Sequence, residues 1–528
     1  MKAHGTPPRG LHAASRSPMF EGRFGFMFPH LKAASYGATP EESAANLLLL
    51  GEAMQADPDK ARDGLDEEES SIPALYTYFG QFIDHDLTFG PEGSFQQKRD
   101  VDALIDFRSP SFDLDCVYGR GPDDQPYMYE RNGAKFLLGG TLNGGNPRAR
   151  DLARSTPNDA DPARALLGDK RNDENVIVSQ LQGLFLRFHN RLVDQGCTFE
   201  QAQHQLQFHY QYVILNDFLP KIIDAAVLGS LKCRHGFDRH RLSFYELRKN
   251  AFMPVEFAAA AYRFGHSMIR PGYRLNDKVL LPLFADPTVV PPEEDLRGFR
   301  KMNSDWGIDW ARFIDTEIRP YGTGTTPPTP DDQKRLQFAY RLDTSLVGPL
   351  TNLPSTLVGN QTPTNPISLP QRNLLRSLDF GLPSGQAVAK HMHVRVLEDH
   401  EIILGKAIAK NGDPTGGDPK AKAITKVANG AFNGNCPLWT YVLAEAIQHQ
   451  TEVQIPVKEG VKINSPRLGP VGGHIVAETF IGLMFADDRS LLSTDPHWIP
   501  KGGPHYGLRD FVLYAIGQDA GSAKGAGR

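Results

Sequence analysis

Tyr76 to Glu92 reads YTYFGQFIDHDLTFGPE and sets Gln81, Asp84, His85 and Asp86 within six positions. The apolar spacing predicts a helix. On it Gln81 and His85 stand four apart and share a face, while Asp84 and Asp86 flank the imidazole and point elsewhere. Phe79, Phe82 and Ile83 supply a side to bury. An amide beside an imidazole, on a helix pinned by core contacts, suits a small polar reactant held near a general base. A lone histidine of this kind is more often a satisfied core residue, so the rest of the chain decides.

The bounds are those of a globular chain. Of 528 residues, 40% are hydrophobic and 23% charged, and the formal net charge is -5. With no long basic run, nucleic acid is excluded as the expected partner. Forty Pro and fifty Gly predict long loops between packed elements. Cys116, Cys197, Cys233 and Cys436 are far apart and show neither zinc nor redox spacing, so no disulfide framework is implied. MKAHGTPPRGLHAASRSPMF lacks the apolar run of a standard signal peptide, and no stretch approaches the ~20 apolar residues of a membrane span. The expectation is a soluble protein, cytoplasmic or exported by a non-standard route.

Outward from the opening stretch, residues 1–38 read as an extended arm and Thr39–Ala56 as a helix with Pro40, Glu41 and Glu42 in its first turn. Residues 57–70 read as acidic and exposed. In RSPSFDLDCVYGR (108–120), an extended loop would align Ser109, Ser111, Asp113 and Asp115, oxygen donors suited to a hard cation such as calcium. GDKRNDENVIVSQLQGLFLRFHNRLVDQG (168–196) carries a helical stripe of Leu181, Leu184, Phe185, Phe188 and Leu192. Asn172 or Asp173 would cap it, Glu174 would lie in its first turn and Gly196 would stop it.

PVEFAAAAYRFGHSMIRPG (254–272) predicts one helix with Val255, Ala258, Ala259, Tyr262, His266 and Ile269 on a face. His266 thus reads as a core histidine or, more sharply, a heme ligand. QRNLLRSLDFG (371–381) puts Asn373 and Arg376 on one face, and LWTYVLAEAIQ (438–448) reads as a further helix.

GQFIDHDLTF, SPSFDLDCVYG, GDKRNDE, YRFGHSMIRP and NLLRSLDFGLP stand in this order. Together they resemble the animal-type heme peroxidases, the peroxidase–cyclooxygenase superfamily, over roughly residues 70–515. The resemblance implies a mainly α, large single-domain helical heme peroxidase fold, with heme between a distal and a proximal helix. It implies an arm and leading helix at 1–70, a catalytic domain at 71–515 and a disordered tail at 516–528. A bacterial member of the family is the expectation.

By the same resemblance His85 is the distal histidine, Gln81 its neighbour contacting pocket water or halide, and Arg171 the distal arginine. His266 is the proximal ligand of heme iron, Asn373 its hydrogen-bond partner through an acceptor oxygen, and Arg376 the partner of a heme propionate. Asp84 and Glu174 form esters to a heme b derivative. Asp86, Ser109, Ser111, Asp113 and Asp115 bind calcium. The implied function is reduction of hydrogen peroxide and oxidation of a small donor (halide, thiocyanate or a phenolic or aromatic substrate) through ferryl heme intermediates, in the response to oxidative stress. The residue chemistry fits independently. A neutral imidazole can take a proton from one peroxide oxygen and return it to the other, and a fixed guanidinium stabilises the charge on the leaving oxygen.

The chain departs from the family at Phe79, where tryptophan is usual. It departs at Asn175, which offers no sulfur for a bond to a heme vinyl, and at Ser111 and Asp115 in the calcium loop. Fatty-acid dioxygenases share the scaffold but need a tyrosine three residues before the proximal histidine. Here that position is Arg263, and Tyr262 is one step, about 100°, away. A non-catalytic adhesion or matrix protein on this fold is the second alternative. It predicts loss of His85, Arg171 or His266, all of which are present. A heme-free hydrolase built on Asp84, His85 and Asp86 lacks paired-histidine spacing and is rejected.

Overall fold

The computed structural model describes residues 23–57, 61–88, 110–157, 163–248, 251–285, 294–323, 325, 327–359, 361–362, 365–408 and 415–518. The fold is mainly α, with 41% of the chain helical, and the strands among the described residues form only two-stranded sheets. Most of the expected arm and nearly all of the expected tail lie outside these residues. Arg23–Gly25 runs parallel to Phe252–Pro254, and Glu256 holds the arm by accepting from the Met27 and Phe28 amides at 2.9 and 3.0 Å.

Helix Pro40–Ala53 forms as read, with the Thr39 hydroxyl accepting from Glu42 N. Its Gly51 lies against the backbone of Gln371, where a Cβ would come within 2.9 Å of Gln371 N. Helix Leu75–Leu87 packs on helix Val176–Asp194 through Phe82, stacked on Phe185 at 4.2 Å. The 176–194 helix stops before Gly196, whose φ of +98° suits only glycine well. On its far side Phe188 stacks on Phe511 of helix Leu508–Ala515 at 4.6 Å.

Leu438–Gln448 and Pro470–Ala486 form the buried centre. Glu445 of the first accepts from Val471 N and Gly472 N at the start of the second, meeting donors that a helix N-terminus leaves open. Burial pushes the Glu445 carboxyl up to about 7.

Four readings are corrected. The acidic 57–70 stretch is not an exposed run: Asp66, Glu68 and Glu69 are buried, and Glu69–Pro73 is a strand. The reason is long-range, since Glu69 pairs with both Arg270 and Arg335. Asn172 and Asp173 do not cap the long helix. Asn175 does, accepting from Ile177 N and Val178 N at 3.1 and 2.9 Å, and this places Glu174 ahead of the helix. The 108–120 loop is not uniformly extended. Leu114 takes φ +57° and Asp115–Tyr118 is a helical turn, while Ser109 lies outside the described residues. The 254–272 helix is broken: Val255–Ala259 is α, Ala260 takes φ -134° and ψ -76°, and Ala261–Met268 is a 3-10 helix.

Candidate functional site

The 75–87 helix and the turn before the 176–194 helix build one wall. His85 is buried, while Gln81 and Asp84 on the same helix are half-buried. Glu174 meets both members of the predicted face: Gln81 Nε2 donates to its Oε1, and His85 Nε2 lies 3.4 Å from that oxygen. Gln81 Oε1 accepts from Asn175 Nδ2 at 3.2 Å. The other ring nitrogen, His85 Nδ1, lies 2.8 Å from Asn172 Oδ1.

Arg171 is held in a 3-10 turn, Lys170–Asp173, capped by Asp169. Its guanidinium bonds the buried Asp169 carboxylate and, through Nη2, the carbonyls of His85 and Thr88. It thereby satisfies carbonyls that the end of the 75–87 helix leaves open. Nη1 lies 3.9 Å from Asp84 Oδ2. Fixing a guanidinium in this way makes it a preorganised charge rather than a swinging one.

The facing wall is the broken segment. Tyr262 donates to Gly80 O at 3.1 Å, and a Cβ on Gly80 would come within 3.3 Å of the Phe218 ring. A 3-10 helix has three residues per turn, so Arg263 and His266 fall on one line. Asn373, buried on helix Leu369–Asp379, meets both: its Nδ2 lies 2.9 Å from His266 Nδ1, and its Oδ1 accepts from Arg263 Nη1 at 3.4 Å. In the heme-free chain the amide amine thus faces the imidazole and the amide oxygen faces Arg263. Burial and the Arg263 and Arg376 cations pull His266 down to about 3, so the ring is neutral.

Heme can be tested against these residues. Arg263, His266 and Arg376 are half-buried, and removal from water disfavours the charged form of each. Burial and the Arg263 and Arg372 cations pull Arg376 down to about 9. Arg263 Nε is buried with no hydrogen-bond partner among the described residues. Two mutually repelling guanidiniums beside a neutral imidazole fit a metal macrocycle bearing two carboxylates. The Asp84 charge reaches Arg263 and Arg376, so the two walls are electrostatic neighbours.

A third group lies under the first wall. Carboxylate oxygens of Asp86, Asp113 and Asp115 come within 4.8 Å of one another. Leu114 N donates to Asp86 at 3.3 Å and Asp115 N to Asp113 at 3.1 Å. Ser111 is buried nearby in sequence. Gly168 lies against the Asp115 and Cys116 carbonyls, where a Cβ would come within 2.6 Å of each, and this ties the cluster to the turn carrying Arg171. Three like charges this close fit a hard cation.

Reading the sequence missed Asn172, Asn175, Arg263 and Gln182, whose Oε1 accepts from Asn172 Nδ2 at 2.9 Å. Asn172 looked like a cap, and Arg263 counted only as the absence of a tyrosine. The signal for Arg263 was its spacing of three from His266, which a 3-10 helix brings onto one line.

The sequence profile described as "Animal haem peroxidase" matches residues 104–304. The chain is 26% identical over 182 residues to chorion peroxidase of Aedes aegypti, a match covering 30% of this chain and 23% of that protein. The chain thus spans less than a quarter of that curated relative. Among solved structures it is similar to peroxidase A of Dictyostelium discoideum, with a TM-score of 0.55, 14% identity and 94% of each chain covered. It is also similar to the fatty acid alpha-dioxygenase of Oryza sativa, with a TM-score of 0.53, 13% identity, and 94% of this chain and 82% of that one covered. At these identities the two structures establish a shared fold.

Proposed function

We propose that this chain is a heme peroxidase that reduces hydrogen peroxide and oxidises a small donor, a halide, thiocyanate or a phenolic or aromatic compound. The observation that carries the reading is the packing of two histidine-bearing segments against each other through Tyr262 and Gly80, with His85 beside the fixed Arg171 on one and His266 with Asn373, Arg263 and Arg376 on the other. Bound heme would supply the iron at which the peroxide O–O bond breaks. His266 would hold that iron through Nε2, and Arg376 and Arg263 would hold the propionates. Arg263, drawn to a propionate, would release Asn373 Oδ1 to accept from His266 Nδ1–H.

His85 would accept a proton at Nε2 from bound peroxide and return it to the departing oxygen. Arg171 would stabilise the charge on that oxygen from a position set by Asp169 and two carbonyls. Gln81 would orient water or halide beside His85. Asp86, Ser109, Ser111, Asp113 and Asp115 would bind calcium and brace the end of the helix that carries His85. Asp84 and Glu174 would become esters of the heme, each consuming a carboxylate that an enclosed site disfavours.

Dioxygenase chemistry is the second reading, favoured by Tyr262, which is buried beside the Asp84 charge. Its hydroxyl is turned to Gly80 O, and its ring is stacked on Phe257 at 4.6 Å. Turnover separates the two. Heme-supplemented protein should consume hydrogen peroxide with an aromatic donor and leave linoleate unoxygenated. His85→Ala should slow the peroxide step by ~100-fold or more at unchanged heme content. Linoleate oxygenation without donor turnover would overturn the assignment.

A further inference from the structure

We propose that Asn172, itself held by Gln182, is a positioning residue that fixes His85 as the tautomer protonated on Nδ1, leaving Nε2 as an unprotonated base. The catalytic consequence rests on the peroxidase reading, whereas the lock is a property of the chain alone. His85 Nδ1 lies 2.8 Å from Asn172 Oδ1, and Asn172 Nδ2 donates to Gln182 Oε1 at 2.9 Å. An amide oxygen can only accept. With the Asn172 amine spent on Gln182, the oxygen faces the ring, and only Nδ1–H satisfies it. A neutral imidazole carries one N–H, so the proton is absent from Nε2. His85 is 3% exposed and Asn172 and Gln182 are 0% exposed, so no bulk water substitutes for a mismatched pair.

The opposite arrangement would turn both amides over and put the proton on Nε2. The group that would call for it there is Glu174, whose Oε1 is 3.4 Å away. Glu174 is already supplied. Asn175 Oδ1 is committed to two backbone amides, Ile177 N and Val178 N, so its Nδ2 turns to Gln81 Oε1. The Gln81 amine then donates to Glu174 Oε1. The orientation of this second chain is thus set by backbone donors, which cannot flip, and it gives Glu174 Oε1 a donor other than His85 Nε2. Turning Asn172 Oδ1 to His85 has a residue: Gln182 Nε2 is buried with no hydrogen-bond partner among the described residues.

That leftover amine makes the substitutions discriminating. An aspartate at 172 can only accept, so it should keep the proton on Nδ1 and let the Gln182 amine turn to donate to it. An alanine removes the lock. The full chain, labelled with ¹⁵N-histidine and carrying no added heme, reports the tautomer from the two ring-nitrogen shifts. The His85 signals are identified by their loss in His85→Gln. Wild type and Asn172→Asp should show a protonated Nδ1 and an unprotonated Nε2, while Asn172→Ala and Gln182→Leu should move the proton toward Nε2. A protonated Nε2 in wild type, or an unchanged tautomer in Asn172→Ala, would overturn the proposal. If Asn172→Ala does not fold, wild type and Asn172→Asp decide.

With heme added, the peroxide step should fall by ~10-fold or more in Asn172→Ala and return in Asn172→Asp. A wild-type rate in Asn172→Ala removes the lock from catalysis and leaves the peroxidase reading intact. The Nδ1–H tautomer in a protein inert to peroxide supports the lock and removes the peroxidase reading.

Discussion

The two walls of the site are built on opposite electrostatic plans. The His85 wall is acidic and closed: Asp169 takes Arg171, Gln81 takes Glu174, and Asn172 takes His85. The His266 wall is basic: burial and the Arg263 cation lower the proton affinity of Arg376, and Arg263 Nε has no hydrogen-bond partner among the described residues. The first wall is preorganised for chemistry within the chain. The second gathers two guanidiniums beside the neutral His266 ring. On the proposed reading, the first wall holds the residues that act and the second those that hold the heme.

The largest effect should come from removing the charge of what the basic wall holds. Heme dimethyl ester, which lacks the propionate charges, should bind ~10- to 100-fold more weakly than heme, the scale of lost charge-assisted hydrogen bonds. Arg263→Leu and Arg376→Leu should each weaken heme and leave the dimethyl ester nearly unaffected, as read by fluorescence quenching titration. The sign with pH follows from Arg376, pulled down to about 9 in the heme-free chain. Propionate binding favours the charged form, so affinity is fully present below that pH and declines as pH rises through it. Equal affinity for heme and its dimethyl ester would remove the contrast between the walls.

A smaller effect should come from beneath the acidic wall. Elemental analysis should find calcium, and prolonged chelation should lower the melting temperature and disturb the heme spectrum, because Asp86 adjoins His85. A site held at 100-fold over its Kd contributes about 2.7 kcal/mol. Asp113→Ala should reproduce the loss. No calcium, with stability and spectrum indifferent to chelator, would leave the three aspartates as a repulsive cluster needing another explanation.

The smallest change in affinity, and the sharpest in chemistry, concerns Asp84 and Glu174. After a few equivalents of peroxide, acid–acetone should fail to extract heme from wild type. Asp84→Val and Glu174→Gln should each retain at most one link, and the double variant none. Mass spectrometry should find no vinyl–sulfonium bond, since Asn175 is occupied as a helix cap and carries no sulfur. Complete extraction from treated wild type would refute the esters and would leave Glu174 as a hydrogen-bond partner of Gln81.

The contrast between the walls also divides what the sequence makes legible. The 75–87 helix is regular and one-sided, so Gln81 and His85 could be placed on a face from spacing alone. Helices 40–53 and 369–379 were visible for the same reason. The 255–268 segment was not, because it breaks at Ala260 with no glycine or proline there to mark the break, and continues as a 3-10 helix. Helix 470–486 escaped because it is buried on every side and has no polar face to give a period. The burial of Asp66, Glu68 and Glu69 was hidden because the partners of Glu69, Arg270 and Arg335, are more than 200 residues away. Asn172 was misread for a local reason: asparagine before a helix usually caps it, yet here Asn175 does.

The central claim is that heme lies between these walls with His266 on its iron. The most direct measurement is the ferric optical spectrum of heme-supplemented wild type beside that of His266→Ala. The account predicts a Soret band of a histidine-ligated heme in wild type, and its loss or displacement in His266→Ala. An unchanged spectrum and undiminished heme content in His266→Ala would contradict it.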